Sequence, residues 1–124
     1  MRSLKINTVY SHWKRNPDSI YNNYLYCTMG ISKPVDANSN SIGKKFNVVN
    51  AFRTDNNKPI VLFFSENGIF HLNNDINKEL VVYTALYSDS KPYVREISEF
   101  LSEVPEGRES ENLSQQKYRF EEYK

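Results

Sequence analysis

From Leu80 to Tyr87 nearly every residue is apolar, β-branched or aromatic, and the run reads as a strand. Val81, Tyr83, Ala85 and Tyr87 would face one side, and Leu80, Val82, Thr84 and Leu86 the other. Both faces are largely apolar, so this strand is expected to be central and covered on both sides. Ser88 to Pro92 is turn chemistry, and Val94 and Arg95 lead from a short return strand into an amphipathic helix. Upstream, Leu4 to Tyr10 offers a first strand or an irregular lead-in, followed by a turn at Asn16 to Ser19. Ile20 to Ile31 is a strand mixing aromatics with Asn and Thr, and Ser32 to Lys45 is a loop by composition. Phe46 to Arg53 and the apolar run Ile60 to Phe64 are strands, separated by a turn at Asp55 to Pro59. Glu66-Asn67-Gly68 signals a hairpin that returns through Ile69 to Leu72.

The last third changes period. Ile97, Phe100, Leu101 and Val104 recur at helical spacing, and Pro105 and Gly107 end that helix. Ser110 or Asn112 can cap a second helix, with Leu113, Gln116, Phe120 and Tyr123 along one face. The pattern therefore predicts one α+β domain over residues 1–124. It is a small antiparallel β-roll or SH3-like barrel over 1–95, with two C-terminal helices over 96–124. The second helix is too short to stand alone in water. It must pack on the roll or on a second copy, and a homodimer or higher homo-oligomer follows as an expectation.

With 124 residues and a formal charge of +1, the chain has the size of one domain and lacks the strong field that favours nucleic acid or anionic membrane. The single cysteine, Cys27, allows no internal disulfide, and no stretch approaches a membrane span or a signal-peptide core. A cytoplasmic protein is expected. His12 and His71 are the two histidines, without metal-ligand spacing, nucleophile elbow or Cys-His signature around them. The four glycines are scattered, so no phosphate loop is present. These readings point to a non-enzymatic protein without cofactor or metal.

Tyr10-Ser11-His12-Trp13-Lys14, Val81-Val82-Tyr83-Thr84-Ala85-Leu86-Tyr87, Val94-Arg95 and Phe100 together resemble the small bacterial family called domain of unknown function 1653. Its pattern runs Tyr-x-His-Phe-Lys-Gly, Val-Val-Tyr-x-x-Leu-Tyr, Val-Arg-Pro, then Phe. Arg15 stands where that pattern has Gly, and Glu96 where it has Pro; Ser32 to Gly68 lies where the family is short. The resemblance covers about half the chain. It implies an SH3-like barrel or roll and carries no activity.

Aromatic residues make up 14% of the chain. Trp13, Tyr21, Tyr24, Tyr26 and Tyr93 exceed what a core of this size needs, so some should line a groove or an interface. Arg95, Arg108 and Arg119 punctuate the last third. They are either solvated charges paired with Glu103, Glu109 or Glu122, or a clamp for phosphate and adenine. An aromatic roll followed by two arginine-bearing helices, from Phe100 to Phe120, resembles the Thoeris anti-defence protein (Tad-one) family of phage proteins. Those are dimers that sequester, intact, a cyclic ADP-ribose signal made by TIR-domain enzymes. The resemblance implies Arg108 and Arg119 as the ligand clamp and Tyr83 as the stacking ring; Arg95 and Trp13 complete the candidate set. The expected function is a sponge for a cyclic ADP-ribose isomer, and the alternative is an SH3-like module binding nucleic acid or protein.

Overall fold

The computed structural model describes residues 2–19, 24–38, 40–86 and 91–123. Its strands are β1 (Val9–His12), β2 (Leu25–Val35), β3 (Phe46–Arg53), β4 (Lys58–Ser65), β5 (Gly68–Leu72), β6 (Leu80–Ala85), β7 (Pro92–Glu96) and β8 (Phe120–Glu122). They form one sheet in the order β5-β4-β3-β7-β6-β2-β1-β8. A parallel β2–β5 pairing, Ser32 opposite Ile69 through Val35 opposite Leu72, closes six of them into a barrel. β1 and β8 extend the sheet beyond the ring. The turn expected over Ser88 to Pro92 falls mostly outside the described residues, as does Tyr21.

The two apolar faces of β6 serve two cores. Leu80 and Val82 point into the barrel with Ala51, Ile60, Leu62 and Val94. Val81 and Tyr83 point outward and pack with Tyr10, Phe100 and Phe120. The run β7-β6-β2-β1-β8 curls around this second core. Laid flat, β8 would lie about three strand spacings, ~14 Å, from β6. Instead the Phe120 ring sits 5.6 Å from that of Tyr83.

A bulge in β2 makes the double core possible. The register against β6 slips between Thr28 and Gly30, leaving Met29 as the extra residue. Tyr26, opposite Ala85, therefore joins the outer core, whereas Ser32, opposite Leu80, faces the barrel interior although its position has the same parity. β2 also runs through Ser32–Val35, where composition suggests a loop. Pairing with β6 ends at Ser32, so Pro34 faces only β5, and its missing N–H is tolerated there. The Ser32 hydroxyl donates to His71 Nδ1 at 2.7 Å while His71 Nε2–H donates to the Ile76 carbonyl at 3.0 Å. Both side chains are fully buried, so this pair ties the barrel seam and is closed to any substrate.

The fold is almost entirely β, which corrects the α+β expectation: the two C-terminal helices are absent. Ile97–Phe100 makes a single helical turn, and the Ser102 hydroxyl takes up the Glu99 carbonyl at 2.6 Å. The chain then runs extended, with Val104 N–H bonded to the Lys117 carbonyl and Arg119 N–H to that of Ser102. The segment expected as the second helix holds a three-residue 3-10 turn, Glu109–Glu111, and a turn in which the Asn112 side-chain oxygen accepts from Gln116 N–H. Gln115 has φ of 58°, outside any right-handed helix. Burial explains the outcome: Phe120 stacks on Phe100 at 4.1 Å and is 1% exposed, whereas Leu113 is 56% exposed. A helix cannot bury Phe120 and still join β1, and joining β1 offers both the ladder and the core. The apolar helix face from which a dimer was expected does not exist. Among the described residues no helix is long and apolar enough to cross a membrane.

Candidate ligand-binding site

The outer core is incompletely filled. Beside it lies a partly open cup of about 160 Å³ lined by His12, Tyr26, Thr54, Tyr83, Tyr93, Arg95 and Phe120. The sheet register puts them together. Tyr83 pairs with Tyr93 across β6–β7, and His12 pairs with Phe120 across β1–β8, so their side chains share a face. The rings meet edge to face: Tyr26 lies 5.5 Å from Tyr83, and His12 5.0 Å from Phe120. Such contacts hold the walls rigid.

One hydroxyl organises the polar wall. Thr54 Oγ1 donates to the Val94 carbonyl at 3.3 Å, accepts from Arg95 Nε at 2.9 Å and lies 3.0 Å from the Tyr83 hydroxyl. Either hydroxyl can donate in the Thr54–Tyr83 pair. The Arg95 guanidinium is thereby fixed in direction, 5.9 Å from the Phe120 ring centre. Its Nη1 is buried and makes no hydrogen bond among the described residues. Glu99 Oε1 lies 3.3 Å away but supplies charge, not a well-directed bond. Arg119 Nε is likewise buried without a partner among the described residues. Burial lowers the Arg119 pKa from its ordinary value, and the nearby charge of Arg95 lowers it further.

His12 contributes no charge. Burial, then Arg95, Lys14 and Arg119, push its pKa down to about 3. Its Nδ1 accepts from Lys14 N–H at 3.1 Å, so the neutral ring carries its proton on Nε2. Burial likewise raises the Tyr83 pKa and keeps its hydroxyl neutral. The cup therefore presents aromatic walls, donors and net positive charge. Among the described residues no carboxylate lines it.

Of the residues expected at a site, Tyr83 and Arg95 line the cup, and Arg119 lies within electrostatic reach of it. Trp13 is buried, stacked with His12 at 5.8 Å, and acts as a support. Arg108 sits over the Trp13 ring at 5.2 Å and is engaged by both carboxylate oxygens of Glu111. His12, Tyr26, Thr54, Tyr93 and Phe120 complete the lining. Tyr26 and Tyr93 belong to the surplus of polar-tipped rings, and His12 to the Tyr10–Lys14 motif; Thr54 carries no sequence signal.

A larger groove of about 420 Å³ is lined by Arg2, Ser3, Lys5, Tyr10, Tyr118, Glu121 and Glu122. Its cations are already committed. Arg2 donates to the Leu101 and Phe120 carbonyls and covers the Tyr118 ring at 4.0 Å, and Lys5 pairs with Glu122 at 3.0 Å. The cup, with two arginine charges against one carboxylate, is the better candidate despite its smaller size. Among the described residues no three His, Cys, Asp or Glu side chains cluster as metal ligands.

Residues 68–122 match the family described as protein of unknown function (DUF1653). The match supports the resemblance carried by Val81 to Tyr87, Val94-Arg95 and Phe100, and it includes the cup residues Tyr83, Tyr93, Arg95 and Phe120. His12, Tyr26 and Thr54 come from outside the matched span. Comparison with curated proteins and with solved structures found no match.

Proposed function

We propose that the protein is a non-enzymatic binding module that holds a small anionic ligand at the aromatic cup. The observation that carries this reading is the Arg95 side chain, held by Thr54 in the wall of an open aromatic cup, with Arg119 nearby and Glu99 offsetting only one of the two charges. Two arginine charges against one carboxylate favour an anionic ligand, whose contacts to a guanidinium are charge-assisted. Arg119 and the rings of Tyr83 and Tyr93 support the same reading.

Sequestration of a cyclic ADP-ribose-type nucleotide, blocking a TIR-dependent defence, is the narrower form of this proposal. Its phosphates suit Arg95 and Arg119, but a cup of about 160 Å³ takes only one part of it. Sites for whole drug-sized ligands run from roughly 300 Å³ upward. The two arginine-bearing helices on which the Thoeris likeness rests are absent, so this form stands on the cup alone. Native mass spectrometry after incubation with lysate containing an activated TIR enzyme tests it. A bound mass equal to the cyclic nucleotide supports the narrow form, a different bound anion supports only the general one, and an empty protein contradicts both.

A further inference from the structure

Resting on that reading, we infer that the part of the ligand inside the cup is a single six-membered planar ring bearing a carboxylate or similar oxyanion. It is a small aromatic acid or the aromatic-acid end of a larger molecule.

Size makes the first argument. The cup measures about 160 Å³, close to the roughly 150 Å³ of an engineered protein cavity that accommodates benzene. One ring fills it, and a ring with a long substituent must leave the substituent outside. The walls make the second. Tyr26, Tyr83, Tyr93 and Phe120 offer ring edges and faces at angles suited to a planar guest. An aliphatic guest would leave those faces poorly matched.

Charge decides between three kinds of ring. An all-aromatic cage would favour a cation, but here Arg95 stands in the wall and Arg119 behind it. Glu99 offsets one of these two positive charges, so the site keeps an excess that repels an ammonium and draws an anion. A neutral ring would leave the excess positive charge of Arg95 and Arg119 unmatched. An oxyanion on the ring meets that charge beside the Arg95 side chain in the wall. The Arg95–Thr54–Tyr83 network is already in place, so little reorganisation precedes binding.

Titration of the full chain with benzoate, benzyl alcohol and benzylammonium, followed by the aromatic NMR resonances of Tyr26, Tyr83 and Tyr93, tests the assignment without any variant. Benzoate is expected to saturate with a dissociation constant on the order of millimolar, and benzyl alcohol to bind at least about tenfold more weakly. Benzylammonium is expected not to shift these resonances. In Arg95→Gln the preference for benzoate over benzyl alcohol is expected to vanish; Thr54→Val, which keeps the charge and frees its direction, is expected to reduce it. Equal binding of benzoate and benzyl alcohol, binding of benzylammonium, or benzoate shifts confined to Tyr10 and Tyr118 of the larger groove would overturn the inference. Failure of all three probes would overturn it too. The bound mass sought above is a separate measurement, so an anion found there with no aromatic acid in it sinks this assignment and leaves the general binding reading standing.

Discussion

Replacing Phe120 by Ala tests the placement of the C-terminal segment. Phe120 is 1% exposed, stacked on Phe100 at 4.1 Å with planes 8° apart, and in edge contact with His12, Tyr26 and Tyr83. Truncating a buried Phe removes its transfer free energy and leaves a cavity, about 3–5 kcal/mol together. Its aromatic pairs add roughly 0.5–1.5 kcal/mol. The segment offers little room to collapse, because Arg119 N–H is tied to Ser102 and Tyr123 N–H to Val9 on either side. A loss of about 4 kcal/mol is therefore expected, against a total stability of 5–15 kcal/mol. Urea denaturation followed by Tyr fluorescence and far-ultraviolet circular dichroism measures it, with the slope against urea unchanged. On the face of a solvated helix the same change would cost less than about 1 kcal/mol. A loss that small would refute both the β8 placement and the outer core.

The fold should weaken in mild acid. His12 is held down to about 3 and His71 is also lowered, so below the unfolded value near 6.5 the unfolded chain takes up protons that the folded one refuses. Between pH 7 and 5 His12 alone should cost about 2 kcal/mol, with His71 acting in the same direction; flat stability by urea denaturation at the two pH values would contradict this. Ser32→Ala should cost about 1–3 kcal/mol in the same assay, because His71 Nδ1 loses its buried donor; an unchanged midpoint would show that the seam pair contributes nothing. Arg119→Ala should weaken ligand binding about tenfold or more, whereas Arg108→Ala, whose guanidinium is engaged by Glu111, should leave calorimetric affinity unchanged. The reverse order would move the site toward Trp13.

The barrel strands were legible where their pattern was local. Leu80 to Ala85 alternates between two apolar faces, and each face reaches its own core. The bulge at Met29 was not legible, because it reverses which residues of β2 face inward without any change in their character. The C-terminal misreading has a clear cause. Ile97, Phe100 and Leu101 do start a helical turn, but Tyr118, Phe120 and Glu122 also alternate as a strand does, and only the distant β1 decides between the periods. At Asn112 to Gln116 the Asn112 side-chain oxygen closes a turn rather than capping a helix. At the site, Tyr83 and Arg95 were reachable because they sit in a dense motif. Thr54 was not, since its role depends on a contact with Arg95 from 41 residues away. Arg108 lies outside the cup lining, over Trp13 and paired with the nearby Glu111.

The proposed anionic ligand binds at the cup through Arg95 and leaves unchanged. Native mass spectrometry of the parent and of Arg95→Ala, exposed to the same lysate and followed by heat release, tests it most directly. A non-covalent mass on the parent is expected, with its loss or at least a tenfold reduction on the variant and recovery of the same compound after heating. Equal loading of parent and a folded Arg95→Ala protein, or release of a hydrolysed product, would contradict it.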